Sequence, residues 1–180
     1  GERVREFERE VALRLGDPAP EAVAVSNGTV ALELALAAVG IGPGDEVIVP
    51  AVSWPSPGHA VILRGAVPVL VDIDPHTWNL DPAQLSALRT SRTRAVIAID
   101  QFGVPADIPA VRAACPGLTV IEDSASALGS SLHGVPCGVL GERGTFSFHP
   151  RKVITTGEGG MVVTRDGALA RRLRTLRNHG

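Results

Sequence analysis

The stretch "RAVIAIDQFGVPADIPAVRAACPGLTVIED", residues 94–123, decides the fold class. It begins and ends with short runs rich in β-branched residues, "RAVIAID" and "LTVIED", which are typical of strands. Between them, "DIPAVRAA" begins with Asp107 as a helix cap and has a proline in its first turn. Strands that are apolar on both faces belong in a parallel sheet covered by helices. The stretch therefore predicts a strand, a helix and a parallel strand.

The same alternation continues on both sides of this unit. Apolar, strand-like runs recur between segments with helical patterns, and the chain opens and closes with a helix. This order predicts an α/β fold with three layers, α/β/α, around a mostly parallel sheet. The further predicted strands are residues 22–25, 46–50, 67–74, 144–149 and 159–164, and the predicted helices include residues 81–88 and 167–178.

Composition excludes several classes of protein. The 180 residues are 44% hydrophobic and carry a formal net charge of -2, which argues against a disordered chain and against bulk attraction to nucleic acid. The arginines of the closing helix are more typical of a solvated face than of a DNA contact. No secretory leader or apolar run of about 18 residues occurs. We expect a cytoplasmic protein without membrane or nucleic-acid partners.

Cysteine content and chain ends add two expectations. Cys115 and Cys137 lack metal-ligand spacing, so we expect two buried thiols and no metal site. The chain begins without methionine, inside a helical pattern that places Val4, Phe7 and Val11 on one face, and it stops where another helix ends. These ends are those expected of a piece of a longer protein.

Two polar motifs follow predicted strands, where parallel sheets bind ligands. In "SNGT", residues 26–29, Gly28 allows close approach of the backbone and Thr29 offers a hydroxyl, so the motif suits a phosphate; taken alone, it favours a simple helix cap. In "VIEDSASALG", Glu122 and Asp123 point to opposite faces of a strand. One of them is an anchor for a cationic ring nitrogen, or else the two residues are a helix cap or a buried pair at the end of a strand.

The segment "FSFHPRKVITTGEGG", residues 146–160, contains the most reactive candidate. Strand alternation places Ser147 on the face opposite its phenylalanine neighbours, with its hydroxyl toward a ligand. Lys152 lies in the loop that follows; such a lysine is usually solvated, but a dry pocket favours the neutral amine, which attacks carbonyls. His149 is expected to pack or hydrogen-bond, and Arg151 to be a surface charge.

The two tryptophans have different expected roles. Trp54 follows the strand at 46–50 and either packs on the core or stacks on a planar ligand. Trp78 lies among turn-forming residues and is interpreted as structural.

The motifs "AVSNGTVALELAL", "GPGDEVIVPAVSW", "VIEDSASALG" and "FSFHPRKVITTGEGGMVVT", in this order, closely resemble the DegT/StrS family of nucleotide-sugar aminotransferases. The resemblance covers essentially all of residues 1–180. It implies the large domain of a fold-type I enzyme that uses pyridoxal 5′-phosphate (PLP), the aspartate aminotransferase-like fold. Residues 1–180 are then part of the PLP-binding large domain, and a smaller C-terminal domain lies outside this chain.

The resemblance assigns roles to the candidate residues. Lys152 matches the lysine that forms the Schiff base with PLP and moves the proton, and Asp123 matches the partner of the pyridine nitrogen. Gly28, Thr29 and Ser147 match phosphate-binding positions, and Trp54 matches the aromatic that stacks on the ring. Ser126 stands where the family often has His or Gln near the 3′ oxygen of the cofactor. Asp100 and Gln101, in "DQFG", replace a histidine-containing run and suggest a different substrate pocket.

The implied activity is transfer of an amino group, with glutamate as the expected donor, to a keto group of a nucleotide-linked deoxysugar. Such reactions serve amino-sugar, cell-surface polysaccharide or secondary-metabolite biosynthesis. The family's active site lies at a homodimer interface, so we expect the 180-residue piece alone to have little activity. A dehydratase branch of the family replaces the lysine with histidine, and Lys152 argues against it. A PLP-binding regulatory or non-catalytic member remains an alternative.

Overall fold

The computed structural model describes residues 1–179, and a seven-stranded sheet forms its centre. The sheet has the strand order β1-β9-β8-β5-β4-β2-β3. Strand β9 is antiparallel to both neighbours, whereas the other adjacent strands pair in parallel, as predicted. The strands are β1 (Glu21–Val25), β2 (Glu46–Pro50), β3 (Val67–Val71), β4 (Thr93–Ile99), β5 (Thr119–Asp123), β6 (Ser131–Leu132), β7 (Val135–Pro136), β8 (Arg143–Ser147) and β9 (Gly160–Thr164). Strands β6 and β7 form a separate small hairpin.

Helices cover both faces of the sheet. On one face, α2, α3 and α6 contribute side chains such as Leu36, Val61 and Leu173 to a single buried cluster. On the other face, α4 and α5 pack over the middle of the sheet and α1 packs over β1, β8 and β9. The three-layer α/β/α prediction is therefore confirmed. The helices are α1 (Glu2–Arg14), α2 (Gly28–Ala38), α3 (Ser56–Leu63), α4 (Leu85–Leu88), α5 (Ile108–Ala114) and α6 (Gly167–Arg177).

Strand β4 explains why its sequence is a continuous apolar run. Ala95 and Ile97 pack against one helical layer, whereas Val96 and Ala98 pack against the other. All four are completely buried, because the strand lies inside the sheet with a layer of helices on each face. The edge strand β3 is covered less completely: Val71 is buried, whereas Leu70 is 62% exposed.

Two predicted elements are shorter than expected. The strand predicted at 67–74 ends at Val71, because the carboxylates of Asp72 and Asp74 accept hydrogen bonds from backbone amides one and two residues later and turn the chain. The predicted helix at 81–88 consists of a 3₁₀ turn followed by the four-residue α4. Its predicted cap is confirmed, because Asp81 accepts from the amide of Ala83.

Two further expectations can be compared with the structure. Cys115 and Cys137 are both buried and unbridged, as predicted. Within residues 1–179, no helix has the length and apolar character needed to cross a membrane.

Candidate active site

Most of the predicted site residues meet at one edge of the sheet. Strands β1, β5 and β8 run in the same direction, so the residues that follow them lie at the same edge. Gly28, Asp123 and Ser147 come from the ends of these three strands, and Lys152 comes from the loop between β8 and β9. This edge is where parallel sheets bind ligands.

The start of α2 has a cradle for an anion. Asn27 caps the helix by accepting a hydrogen bond from the amide of Val30 at 2.9 Å. The amides of Gly28 and Thr29 belong to the first turn, where backbone N–H groups have no partner within the helix. A side chain on Gly28 would place a Cβ 2.9 Å from Ser147 Cβ and 3.3 Å from Ser147 Oγ. Only glycine therefore allows the serine hydroxyl to lie beside these amides, a geometry that suits phosphate.

A hydroxyl that sequence reasoning missed extends this cradle. Ser56, the first residue of α3, lies with its Oγ 2.7 Å from Thr29 Oγ1. The two hydroxyls come from helices that pack against each other on the same face of the sheet. The Ser-Pro pair at 56–57 signals a helix start, but no sequence signal indicates that this start contacts α2.

Lys152 has a defined partner across the site. Its Nζ donates to Ser126 Oγ at 2.9 Å, and its backbone amide donates to the carbonyl of His149 at 2.9 Å. Ser126 lies in the loop after β5, so this bond joins the two loops that follow β5 and β8. Lys152 is also the only lysine in the sequence, and its side chain is half-buried.

Asp123 is the buried acid of the site, with 5% of its surface exposed. Its Oδ1 accepts from the amide of Ala125 at 3.1 Å. Burial raises the pKa of Asp123 to about 6, the Ala125 amide and the positive charge of Lys152 oppose this rise, and the nearby Asp100 adds to it. The lysine and the aspartate are therefore close enough for their charges to interact, as a shared site requires.

Glu122 points away from Asp123, as strand alternation predicts. It is completely buried, and its carboxyl accepts from the amides of Gly138 and Gly141 at 2.6 and 3.1 Å. Asp100 is also buried and bonds to the amide of Ala106. Asp100 is only 1% exposed, so it presents almost no surface to a substrate in this chain.

Trp54 lies on the open side of the site. It is 68% exposed, and the guanidinium carbon of Arg151 lies 5.5 Å from its ring centroid. Arg151 directly precedes Lys152, so this contact places the tryptophan beside the lysine loop. The expectation that Arg151 is a simple surface charge missed this cation–π contact.

The remaining candidates have structural partners. His149 accepts from the amide of Arg151 at its Nδ1, which agrees with the expected hydrogen-bonding role. Trp78 has a positive φ of 63° and lies edge-to-face with Phe102, with ring centroids 6.2 Å apart. The backbone amide of Gln101 donates to the side-chain oxygen of the buried Asn79.

The site combines three chemical groups at one sheet edge: a primary amine on Lys152, a buried carboxyl on Asp123, and the amide and hydroxyl donors around Gly28. The amine suits a carbonyl, the carboxyl suits a protonated ring nitrogen, and the donors suit a phosphate. A mostly parallel sheet with one reversed strand and this set of groups defines an aminotransferase-like α/β protein.

The chain belongs to the DegT/DnrJ/EryC1/StrS aminotransferase family, whose sequence profile matches residues 1–180. It is 47% identical over 182 residues to GDP-perosamine synthase of Caulobacter vibrioides, covering 100% of this chain and 48% of that protein. It is 45% identical over 183 residues to UDP-N-acetyl-3-dehydro-alpha-D-glucosamine 3-aminotransferase of Acidithiobacillus ferrooxidans, covering 100% and 49%.

Among solved structures, the chain is similar to DesV of S. venezuelae in complex with a ketimine intermediate. The TM-score is 0.95 at 42% sequence identity, and the similarity covers 100% of this chain and 49% of that chain. The chain thus spans about half the length of the relatives it matches.

Proposed function

We propose that the protein containing this chain is a PLP-dependent aminotransferase that acts on a keto group of a nucleotide-linked deoxysugar. The observation that carries the proposal is the meeting of Lys152 and Asp123 at the carboxyl edge of the sheet, with the Lys152 amine held by Ser126 at 2.9 Å. A primary amine beside a buried acid is the pair that a pyridine aldehyde cofactor needs.

The residues of the site fit PLP at each of its functional groups. Bound PLP supplies an aldehyde carbon for amino groups and a ring that accepts electrons. Lys152 would attach at the aldehyde carbon, and Asp123 would accept the N–H of the ring nitrogen. The amides of Gly28 and Thr29 and the hydroxyl of Ser147 would donate to the phosphate, because the first turn of α2 and the missing Cβ of Gly28 leave room for it.

Ser126 and Trp54 complete the set of cofactor contacts. Ser126 accepts a hydrogen bond from the Lys152 amine, and its short side chain would reach the 3′ oxygen of a bound cofactor only through water. Trp54 would stack on the cofactor with the ring face that Arg151 does not cover.

Lys152 is the group that moves a proton during amino transfer. In a site that holds the cofactor, Lys152 Nζ would be the group placed to take a proton from the substrate carbon and return it. Asp123 would have a complementary role: next to a protonated ring nitrogen its buried carboxyl would be ionised, and this negative charge would keep the nitrogen protonated.

The substrate class follows from the family and the relatives. The relatives' names contain GDP- and UDP-linked sugars, which supports a nucleotide-linked substrate and leaves several nucleotides to compare. We expect glutamate as the amino donor. Amino-sugar formation for polysaccharides or secondary metabolites is the expected setting, in the cytoplasm.

Apolar side chains around the lysine loop support assembly as a homodimer. Val153 and Ile154 follow Lys152 directly and are 75% and 49% exposed, and Trp54 lies next to them through Arg151. A second copy that covers this surface would exclude water from the site. In this proposal, residues 1–180 are part of the PLP-binding large domain, and the small domain lies outside them.

The test is an assay of the protein expressed at its full length and loaded with PLP. Glutamate consumption is measured with a panel of GDP-, UDP- and TDP-linked 3-keto and 4-keto sugars, with the Lys152→Ala variant as control. We expect turnover with at least one sugar and none with the variant. Bound PLP without turnover on any sugar would favour the regulatory, non-catalytic alternative, and a protein that does not bind PLP would overturn the proposal.

A further inference from the structure

A buried acidic cluster lies beside Asp123, outside the set of groups proposed to touch the cofactor. Asp100 follows β4 and Glu122 lies near the end of β5, and they are 1% and 0% exposed. The parallel register pairs Ile99 with Asp123, which brings the two acids to neighbouring positions of the sheet. We call Asp100 and Glu122 the carboxyl pair.

Ser124 bridges the carboxyl pair. Its Oγ lies 2.6 Å from Asp100 Oδ2 and 3.3 Å from Glu122 Oε1. The other oxygen of Asp100 accepts from the amide of Ala106 at 2.8 Å. Both oxygens of Glu122 accept backbone amides at 2.6 and 3.1 Å. The pair is thus held from several sides, and its geometry does not depend on a ligand.

The negative charge of the carboxyl pair has no cationic partner within residues 1–179. Within residues 1–179, neither Asp100 nor Glu122 forms an ion pair with an arginine, lysine or histidine. Two adjacent carboxylates buried without a cation repel each other and lose their hydration, so one of them retains its proton. Burial raises the pKa of Asp100, and burial together with the charge of Asp100 raises the pKa of Glu122 to about 8, so the pair retains a proton at neutral pH.

A metal ion is the other way to hold two buried acids. The ligand-type atoms of Asp100, Glu122 and Cys137 lie within 4.8 Å of one another. However, each carboxylate oxygen already accepts an N–H or O–H donor, and the pKa of the Cys137 thiol is raised by burial and by the neighbouring negative charges. These contacts favour a retained proton over a metal ion.

We propose that Asp100 and Glu122 hold one proton between them, bridged by the Ser124 hydroxyl, and that the negative charge left on Asp100 acts on Asp123. The Asp100 amide donates to the carbonyl of Asp123 at 3.0 Å, so the same residue also fixes the backbone of the cofactor-facing acid. Asp100 is therefore a positioning residue. The second half of this proposal rests on the proposed function, whereas the first half does not.

The effect on the cofactor follows from the order of charges. From the open site toward the protein interior, the charges lie in this order: positive on Lys152, negative on Asp123 and negative on Asp100. The titratable groups that face the carboxyl pair are Asp123 from β5 and the thiol of Cys137. A negative charge on Asp100 favours a proton on any ring nitrogen held by Asp123, because the proton is attracted to both acids. The pair would thus help to keep the pyridine ring protonated.

Infrared spectroscopy of the cofactor-free, full-length protein tests the shared proton. The C=O band of a protonated carboxyl group should persist at pH 7 and disappear with a midpoint near 8. Glu122→Gln should remove this band. Asp100→Asn keeps the shape and removes the charge, so it should lower the midpoint by about one unit or more. Asp72→Asn, an exposed aspartate, should leave the midpoint unchanged.

Three outcomes would overturn the shared proton. In the first, the wild type shows no C=O band at pH 7 that Glu122→Gln removes. In the second, Asp100→Asn leaves the midpoint pH of the band unchanged. In the third, the band is lost when one equivalent of Zn²⁺ or Mn²⁺ is added. The last result would make the cluster a metal site.

The second half of the proposal, the action of Asp100 on Asp123, is tested by adding PLP and following the pH dependence of its absorbance. Asp100→Asn should lower the pH of the cofactor transition by about one unit, and Asp72→Asn should not shift it. An unshifted transition would refute the action of Asp100 on Asp123. Failure to bind PLP, with the infrared result intact, would refute the proposed function and leave the carboxyl pair in place.

Discussion

The acidic side and the open side of the candidate site are built in opposite ways. On the acidic side, Asp123 and the carboxyl pair are at most 5% exposed, and each acid accepts at least one hydrogen bond from a backbone amide. On the open side, Trp54 and Val153 are 68% and 75% exposed, around a half-buried Lys152. One side is completed by this chain, whereas the other presents surfaces that a cofactor or a second copy can cover.

This contrast separates two kinds of effect. Substitutions on the acidic side should change both chemistry and folding stability, because charges are buried there without solvent. Substitutions on the open side should change ligand affinity or, at Lys152, the chemistry, and leave stability almost unchanged. The expected effects decrease from Lys152, through Asp123 and Gly28, to Trp54.

Lys152→Ala should have the largest effect and should act on chemistry alone. In the proposed site, loss of the only lysine in the sequence would remove both covalent attachment and proton transfer, so amino transfer should fall by roughly 10³-fold or more. Turnover and borohydride reduction of the PLP-loaded protein, followed by peptide mapping, measure the two roles. Arg151→Ala is the matched control and should keep the label on Lys152. A label retained within residues 1–180 after Lys152→Ala would refute the assignment.

Asp123→Asn should lower turnover by roughly 10²-fold, because the ring nitrogen loses the negative charge that keeps it protonated. The cofactor should still attach to Lys152, so reduction and mapping should give the same label as in the wild type. Turnover close to that of the wild type would mean that another group holds the ring nitrogen.

The same substitution should stabilise the cofactor-free protein. Burial raises the pKa of Asp123 from its ordinary value of 3.8 to about 6, so the folded state binds this proton more tightly than the unfolded state. Stability from this group is present below pH 3.8 and is lost as the pH rises to about 6. Asp123→Asn should therefore be more stable than the wild type by about 3 kcal/mol at pH 7 and similar to it near pH 3.5. Denaturant unfolding at both pH values measures this, and a difference that does not depend on pH would refute it.

Gly28→Ala tests the boundary between the two sides. The added Cβ would lie 2.9 Å from Ser147 Cβ, and overpacking of this kind costs about 1–3 kcal/mol. If the cradle binds the cofactor phosphate, PLP affinity should fall by roughly 10–100-fold in a fluorescence or equilibrium-dialysis titration. Gly42→Ala is the control, because its Cβ would meet nothing within 4 Å. Equal PLP affinity of the two variants would place the phosphate elsewhere.

The acidic side and the lysine loop differ in how much of them the sequence predicts. The positions of Lys152, Asp123 and Ser147 could be predicted, because residues that follow parallel strands meet at one edge of the sheet. The carboxyl pair could not, since the contact between Asp100 and Glu122 depends on the register that pairs β4 with β5. Apolar runs in both strands show that they are buried but not which residues lie side by side.

The contacts between loops could not be predicted from the sequence pattern either. The bond from Lys152 to Ser126 and the stacking of Arg151 on Trp54 join segments far apart in the chain. A loop's sequence indicates that it turns, through residues such as glycine and proline, but the direction of its side chains depends on what packs beneath it. The end of strand β3 at Val71 was not predicted either, because it depends on hydrogen bonds of the aspartates that turn the chain there.

Trp54→Ala should have the smallest effect and should act on affinity alone. The ring is 68% exposed, so its loss should change the free energy of unfolding by less than about 0.5 kcal/mol. Stacking of an aromatic ring on a planar ligand contributes about 1 kcal/mol, which corresponds to a roughly fivefold weaker binding of PLP. Trp54→Phe retains a ring and should restore most of this affinity. A large loss of stability with unchanged affinity would show that Trp54 belongs to the packed core, and the open side would then be smaller than its exposure indicates.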